Sequence, residues 1–436
     1  MTCTSFHSVS VEPVRFRTLL EGGVRNGIYK QKEHHGRGHR IVNMGELFAH
    51  PRLGDVTMRR VELNDTESQR FELRVGDLLF ARRSLTAEGA GKCSIVLDVP
   101  EPTTFESSII RARVDRSKAD SLFLYYWFNS STGLEAVDGI RRQVSVAGIT
   151  GTDLELLEIL LPPLSDQRRI AEILGSLDDK IELNRRMNLT LEELARAVFK
   201  AWFVDFLPVR AKQDGAKSFP GMDADTFALF PDSFDDSPLG RIPKGWRVST
   251  VGEEFDVTMG QSPPGSTYNE VGEGLPFFQG SADFGVRFPS NRVYCTAPTR
   301  FANPGDTLVS VRAPVGDTNM AMERCCIGRG VAAIRHRGGS CSLTYYTMDA
   351  LRSAFDQFEG AGTVFGSING GEMRALKVVA APVPIHSVFD RMVAPLDELV
   401  ESNIRESHTL AATRDLLLPR LLVNGTGEDA IGAIGG

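Results

Sequence analysis

The sequence predicts an α+β fold: two mixed α/β domains separated by two long coiled-coil helices, as a pseudo-twofold internal repeat. Three observations predict it. Two long helical stretches match each other at one fixed offset, both carry an apolar 4-3 seam, and similar turn and strand motifs precede each of them.

The first stretch, 166–203, reads DQRRIAEILGSLDDKIELNRRMNLTLEELARAVFKAWF, with no internal proline and one glycine, Gly175. The second, from 386, reads HSVFDRMVAPLDELVESNIRESHTLAATRDLLLPRLLV. A shift of 219 positions pairs Leu177 with Leu396, Asp178 with Asp397, Glu182 with Glu401, Asn184 with Asn403 and Arg186 with Arg405. Identity at one offset along a polar-rich stretch points to duplication. Leu177, Ile181, Asn184 and Leu191 lie on the seam of the first helix, and Leu396, Val400, Asn403 and Leu410 on that of the second. Their spacing of about 3.5 residues is that of a coiled coil. Polar residues in mid-seam (Asn184 and Asn188; Asn403 and Ser407) would specify register and pairing at some cost in stability. The alternative is an amphipathic helix packed on its own domain. Length favours the coiled coil, because such a helix at 1.5 Å per residue spans roughly 57 Å, more than the width of a small domain. Pro395 predicts that the second helix begins or bends there.

Ahead of the helices, VGDLLFARR (75–83) is matched by PGDTLVSVR (304–312), each a Gly-Asp turn leading into an apolar strand that ends in arginine. Tyr125-Tyr126 is matched by Tyr345-Tyr346 on a predicted helix. Then QVSVAGITGTDLELLEILLPP is matched by GTVFGSINGGEMRALKVVAAPVP, a glycine-bearing loop and a strand running to the prolines before the helix. Ser165 fits an N-cap behind Pro162 and Pro163. The segmentation is a first domain 1–163, first spacer helix 164–206, connector 207–245, second domain 246–385, second spacer helix 386–424 and tail 425–436. The connector reads as irregular chain packed by its aromatics, and the tail composition predicts disorder.

Composition narrows the function. The hydrophobic share of 42% and charged share of 24% match a soluble globular protein. Six cysteines without C-x-x-C spacing read as reduced thiols. No signal pattern and no membrane-length apolar run is visible, so a cytoplasmic location is expected. The net charge of −7 is unevenly spread: residues 1–160 are neutral, 161–240 carry −4, 241–385 carry +1 and 386–436 carry −4. Neutral domains can still present a basic face, although an acidic whole predicts weak nucleic-acid binding in isolation. No phosphate-binding G-x-x-x-x-G-K-[ST] loop occurs; the nearest stretch, EGAGKC (88–93), lacks the first glycine and the hydroxyl. Asp235-Asp236 reads as solvated loop, and His34-His35 is not at metal-ligand spacing. No catalytic residue, metal site or cofactor site is expected in this chain.

The stretches LLPPLSDQRRIAEILGSLDDKIELNRRMN (160–188), AVFKAWFVDFLPVRAK (197–212), LFPDSFDDSPLGRIPKGW (229–246) and LLLPRLLVNG (416–425) resemble the specificity subunits of type I restriction–modification systems. The resemblance runs through nearly the whole chain. It implies two target recognition domains, each reading one half of a split DNA site, and two antiparallel helices that set the gap and dock methyltransferase subunits. It also implies double-stranded DNA, two methyltransferase subunits and an optional ATP-driven nuclease subunit as partners, with S-adenosylmethionine and ATP/Mg on those partners. The Asn/Asp-Pro-Pro-aromatic site of such a methyltransferase is absent; SPPG (262–265) does not supply it.

DNA reading needs cations for phosphates and forked or amide side chains for base edges. In the first domain the densest candidate is YKQKEHHGRGHR (29–40), with Lys30, Gln31, Lys32, Arg37 and Arg40; Gly36 and Gly38 suggest a flexible loop. Further candidates are Arg141, Arg142 and Gln143, and Arg82 with Arg83 after the Gly-Asp strand. In the second domain they are Gln261, Ser262, Tyr268, Arg287, Arg292 and Arg312. Leu183, Met187 and Leu194, beside the seam, are candidates for a partner-binding face. Two rival readings stay open, a lone DNA methyltransferase and an adaptor that reads no DNA.

Overall fold

The computed structural model describes residues 12–86, 88–142, 147–359 and 366–424. The chain divides into two compact units, residues 1–183 with 405–436, and residues 184–404. Both long helices, Leu164–Phe199 and Val383–Asn424, are cut by this division, so each unit holds one mixed α/β domain and half of each helix. Ile170, Ala171 and Leu174 at the start of the first long helix share a core with the first domain.

In the first unit a five-stranded sheet has the order Leu20–Asn26, Ile109–Val114, Asp77–Ala81, Cys93–Val96, Arg52–Leu53. Its central strand is buried along its whole length. Leu78 and Phe80 face one core, with the aromatic helix Ser121–Phe128 and Leu417 and Leu421 of the second long helix. Leu79 and Ala81 face the other, with Leu47, Leu53 and Phe105. Covered on both faces, such a strand reads as a continuous apolar run. The half-helices pair antiparallel: Asp178 meets Arg414 at 2.6 Å and Lys180 meets Glu406 at 3.2 Å, so one number rises as the other falls.

The second unit repeats the plan. The sheet Phe255–Met259, Val331–His336, Thr307–Ser310, Thr318–Met320 matches the first four strands above, and Arg247–Thr250 pairs with Lys377–Ala380 as Glu12–Arg15 pairs with Glu158–Leu161. The two Gly-Asp turns are built alike. Gly76 and Gly305 both have φ in the left-handed region, at 92° and 81°. Each following aspartate accepts a backbone N–H, from Arg74 at 2.8 Å and from Asn303 at 2.7 Å. Each also holds an arginine of the neighbouring strand, Arg113 on Asp77 and Arg335 on Asp306. Buried carboxylates need such partners, which explains why the turn recurs.

Within this unit the helices also run antiparallel. Asn184 Nδ2 donates to the Asn403 carbonyl at 3.3 Å, and Asn403 Nδ2 donates to Asn188 Oδ1 at 2.8 Å. Phe199 lies 5.7 Å from Phe389, ring centre to ring centre. Buried amides at mid-seam are thus paired, as register specification requires. The second helix corrects two expectations. It starts at Val383, and it passes through Pro395 unbroken. The proline ring lies on the exposed side while Val393 and Val400 are buried, so apolar packing offsets the missing N–H. The connector is also more ordered than its composition predicts. It contains helices Leu207–Gln213 and Ala224–Ala228 and a hairpin, Phe234–Ser237 with Gly240–Pro243, on whose exposed strand Asp235 and Asp236 sit. Phe230 of the connector joins Trp202, Phe203, Phe206 and Trp246 in one core. Among the described residues no helix is long and apolar enough to cross a membrane.

Candidate nucleic-acid interface

Each unit carries a groove at the same place in its repeat. In the first it has a volume of about 740 Å³ and is lined by Asn26, Arg82, Arg83, Arg142, Thr150 and Thr152, among others. Three segments meet there. The strand after the Gly-Asp turn ends in Arg82 and Arg83, Ile149 N donates to the Arg82 carbonyl at 3.0 Å, and Arg83 pairs in register with Gly148. Arg142 exchanges two backbone hydrogen bonds with Gly148, at 2.9 and 3.2 Å. The short helix Gly151–Leu156 then starts on Thr150, whose hydroxyl accepts from Asp153 N at 3.1 Å. Arg83 is exposed, without a hydrogen-bond or ion-pair partner for its side chain among the described residues. Among the described residues Arg82 reaches only the Ser107 carbonyl, at 3.4 Å, and Arg142 rests on Asp153 at 2.7 Å.

The groove of the second unit, about 510 Å³, is lined by Gly260, Arg312, Arg329, Ser367, Asn369 and Gly370, among others. The construction is the same: Ile368 N donates to the Val311 carbonyl at 3.0 Å, Arg312 bridges to Ser367, and the helix Gly370–Ala375 starts on Asn369. Among the described residues no acidic one lines it. Arg312 and Arg329 are both exposed, and neither guanidinium has a partner among the described residues. A groove with unspent guanidinium groups suits phosphate or guanine, because no internal salt bridge must be broken first. Arg329 escaped the sequence reading. Its signal is the Gly-Arg-Gly triplet 328–330, which holds the backbone close to Phe277 and Gln279.

Other candidates fall elsewhere. The stretch 29–40 is a 3-10 turn, Lys32–His34, and a strand, His35–Val42, in place of the expected flexible loop. Gly36 and Gly38, with φ of 99° and 88°, serve a register shift between His35 and His39. Its cations are mostly spent: Lys30 on Glu67 at 2.6 Å, Arg37 on Glu62 at 2.5 Å, and Arg40, buried, on Asp55 at 2.9 Å. The Arg37 bond holds the Glu62 carboxyl below its usual range. Gln31 and Lys32 are exposed and remain available. Arg141 is held by Asp138 and the Ala90 carbonyl and is mostly buried. Arg292 is tied to Asp283. Tyr268 donates to the Pro263 carbonyl at 2.7 Å and packs on Phe277, while the Ser262 hydroxyl accepts from Arg329 N at 3.3 Å. Gln261 is exposed. Gln143 lies outside the described residues, as does the tail 425–436.

Arg287 is a correction. It is fully buried, paired with Asp397, 3.9 Å from Glu192 and stacked 3.6 Å over the Tyr345 ring, so it cannot meet DNA. Burial disfavours its charge, yet Asp397, Tyr346, Tyr345 and Glu192 together outweigh that and hold its pKa above the ordinary range. Asp397 also accepts from Ser342 at 2.5 Å and Tyr346 at 3.1 Å. The first unit has the matching joint: Tyr126 donates to Asp178 at 2.7 Å, and Arg414 pairs with Asp178. The repeated tyrosine and aspartate therefore meet, binding each domain to the helix that follows it. Only the arginine changes source, from the other helix in one unit to the domain in the other.

Comparison with known proteins follows this geometry. A family model described as "Type I restriction modification DNA specificity domain" matches residues 54–193. The chain is 28% identical over 406 residues to the putative type I restriction enzyme MjaX specificity subunit of Methanocaldococcus jannaschii, covering 92% of this chain and 90% of that one. It is 25% identical to the type I restriction enzyme HindI specificity subunit of Haemophilus influenzae, covering 69% and 76%. The crystal structure of a type I restriction–modification S subunit from M. genitalium matches in fold with a TM-score of 0.60 at 15% identity, over 95% of this chain and 97% of that one.

Proposed function

We propose that this chain is a specificity subunit of a type I restriction–modification system, as its likeness to such subunits supports, and that each of its two domains reads one half of a split DNA target. As a specificity subunit it is the DNA-recognising, non-catalytic component of its complex. The observation that carries the two-reader proposal is the duplicated groove, with Arg83 in one unit and Arg312 in the other at the same place in the repeat. Arginine forks recognise guanine edges and phosphates alike. The long helices would set the unspecified gap between the halves. S-adenosylmethionine would be carried by two methyltransferase subunits, which must extract the target base from the stack. ATP and Mg would belong to a nuclease subunit, and the complex would act in the cytoplasm.

The test is to co-express the chain with its methyltransferase and map modified bases genome-wide. A split motif with a fixed gap is expected, and Arg83→Glu should relax one half while leaving the other half and the gap intact. Relaxation of both halves together, or one continuous motif, would overturn the assignment of one half to each domain. No modification by an intact complex would favour an adaptor.

Docking of the methyltransferase is proposed on the first long helix. Leu183 and Leu194 are 53% and 50% exposed there, large apolar side chains left uncovered, and Met187 is half-buried. Leu183→Glu with Met187→Glu should abolish co-purification with the methyltransferase while the melting profile of the free chain is kept. Undiminished co-purification would move the docking face elsewhere.

A further inference from the structure

The second unit contains a cleft of about 260 Å³ that takes no part in the grooves described above. Phe199 at the end of the first long helix, Phe203 in the π-helical turn Lys200–Val204 that follows it, and Phe255 and Leu343 of the domain form its apolar walls. Thr347, His336 and His386 are polar groups of its lining, with Glu254 and the exposed Lys377 beside them.

The duplication provides an internal control. The paired tyrosines align Thr347 with Trp127 of the first unit, an indole 4% exposed within the first unit's core. The helix offset aligns His386 with Gln167. Gln167 is buried and spent, accepting from Asp120 N at 2.9 Å and donating to the Pro162 carbonyl at 2.8 Å. Strand pairing aligns His336, opposite Phe255, with Val114, opposite Leu20. Where one copy has an indole, an aliphatic side chain and a satisfied amide, the other has a hydroxyl and two imidazoles. The change empties space and adds hydrogen-bonding groups together. Packing alone would disfavour it, because cavities in well-packed cores are destabilising.

Part of the hydrogen-bonding capacity of the imidazoles is unused among the described residues. His336 Nδ1 accepts from Gly338 N at 3.1 Å, which assigns the ring proton to Nε2. The His386 ring has no hydrogen-bond partner among the described residues, and lies edge-on to His336 at 5.4 Å between centroids. Burial, reinforced by His336, pushes the His386 pKa down to about 4, so its imidazole is neutral near pH 7 and has a lone pair to offer. Glu254, which also lines the cleft, is engaged by Ser249 and Arg247. An apolar cavity of roughly 150 Å³ accommodates benzene, so this larger cleft is sized for two fused rings.

We propose that this cleft binds a neutral, fused-ring aromatic molecule bearing one ring N–H, its rings against Phe199, Phe203, Phe255 and Leu343 and its N–H donated to His386. Its walls come from the domain and from both long helices of the unit, so an occupant stabilises that joint by mass action.

Indole is the probe, added to the full chain. Saturable binding is expected with a Kd between about 0.1 and 1 mM, the range of a small fragment. Methyl-labelled wild-type protein should show contacts from indole to Leu343, a readout that needs no variant. Thr347→Trp, which copies the first unit, should raise the melting midpoint without ligand and erase the indole-induced rise. His386→Leu should weaken binding by about five-fold or more, the loss of one buried hydrogen bond. Absence of saturable binding by wild type, contacts that avoid Leu343, or undiminished binding by Thr347→Trp would each overturn the proposal.

Discussion

Replacing Arg312 and Arg329 together by alanine is expected to lower the affinity of the assembled complex for its DNA about thirty-fold at roughly 0.15 M salt. The figure follows from counterion release, in which each lost phosphate contact removes about 0.9 from the slope of log K against log salt. Two contacts therefore flatten that slope by about 1.8. Both guanidinium groups are exposed and have no partner among the described residues, so no internal salt bridge offsets the loss. Fluorescence anisotropy across a salt series measures both quantities. Lys30→Ala serves as the contrast, because Lys30 is already neutralised by Glu67 and should leave the slope unchanged. An unaltered slope in the double variant would remove these arginines from the phosphate backbone.

The second large effect lies away from DNA. Arg287→Ala should destabilise the second unit by about 3–5 kcal/mol, because it strands the buried Glu192 and the partly buried Asp397. Asp397 would retain only Ser342 and Tyr346, while Glu192, whose pKa burial already raises, would lose its nearest cation. The stacking over Tyr345 would also be lost. For a unit of this size the change corresponds to a fall in melting midpoint of roughly 10 °C. Arg287→Ala combined with Asp397→Asn should recover part of it, since the second change removes one of the stranded charges. A loss below about 1 kcal/mol would mean that the pair is hydrated, as surface pairs are.

Duplication was legible in the chain because its residues recur at one offset. Leu177 and Leu396, Asn184 and Asn403, and the two Gly-Asp turns lie on corresponding elements. The long helices were legible from their seam, since local periodicity reports directly which face is apolar. Location of the arginines was not, because whether a charge is free depends on what a distant segment brings to it. Arg37 and Arg83 look alike in sequence, yet Glu62 reaches the first and nothing described reaches the second. Arg287 and Arg312 look alike too, and Asp397, 110 positions away, takes one into the interior. Pro395 misled for the converse reason: a local rule that favours a break was outweighed by the burial of Val393 and Val400. The sequence by itself thus determined the repeat, the two domains and the paired helices, all set by local pattern. Only the tertiary structure decided which cations stay free for DNA and which serve as internal ties, because ion pairing and burial are settled by residues far apart in the chain.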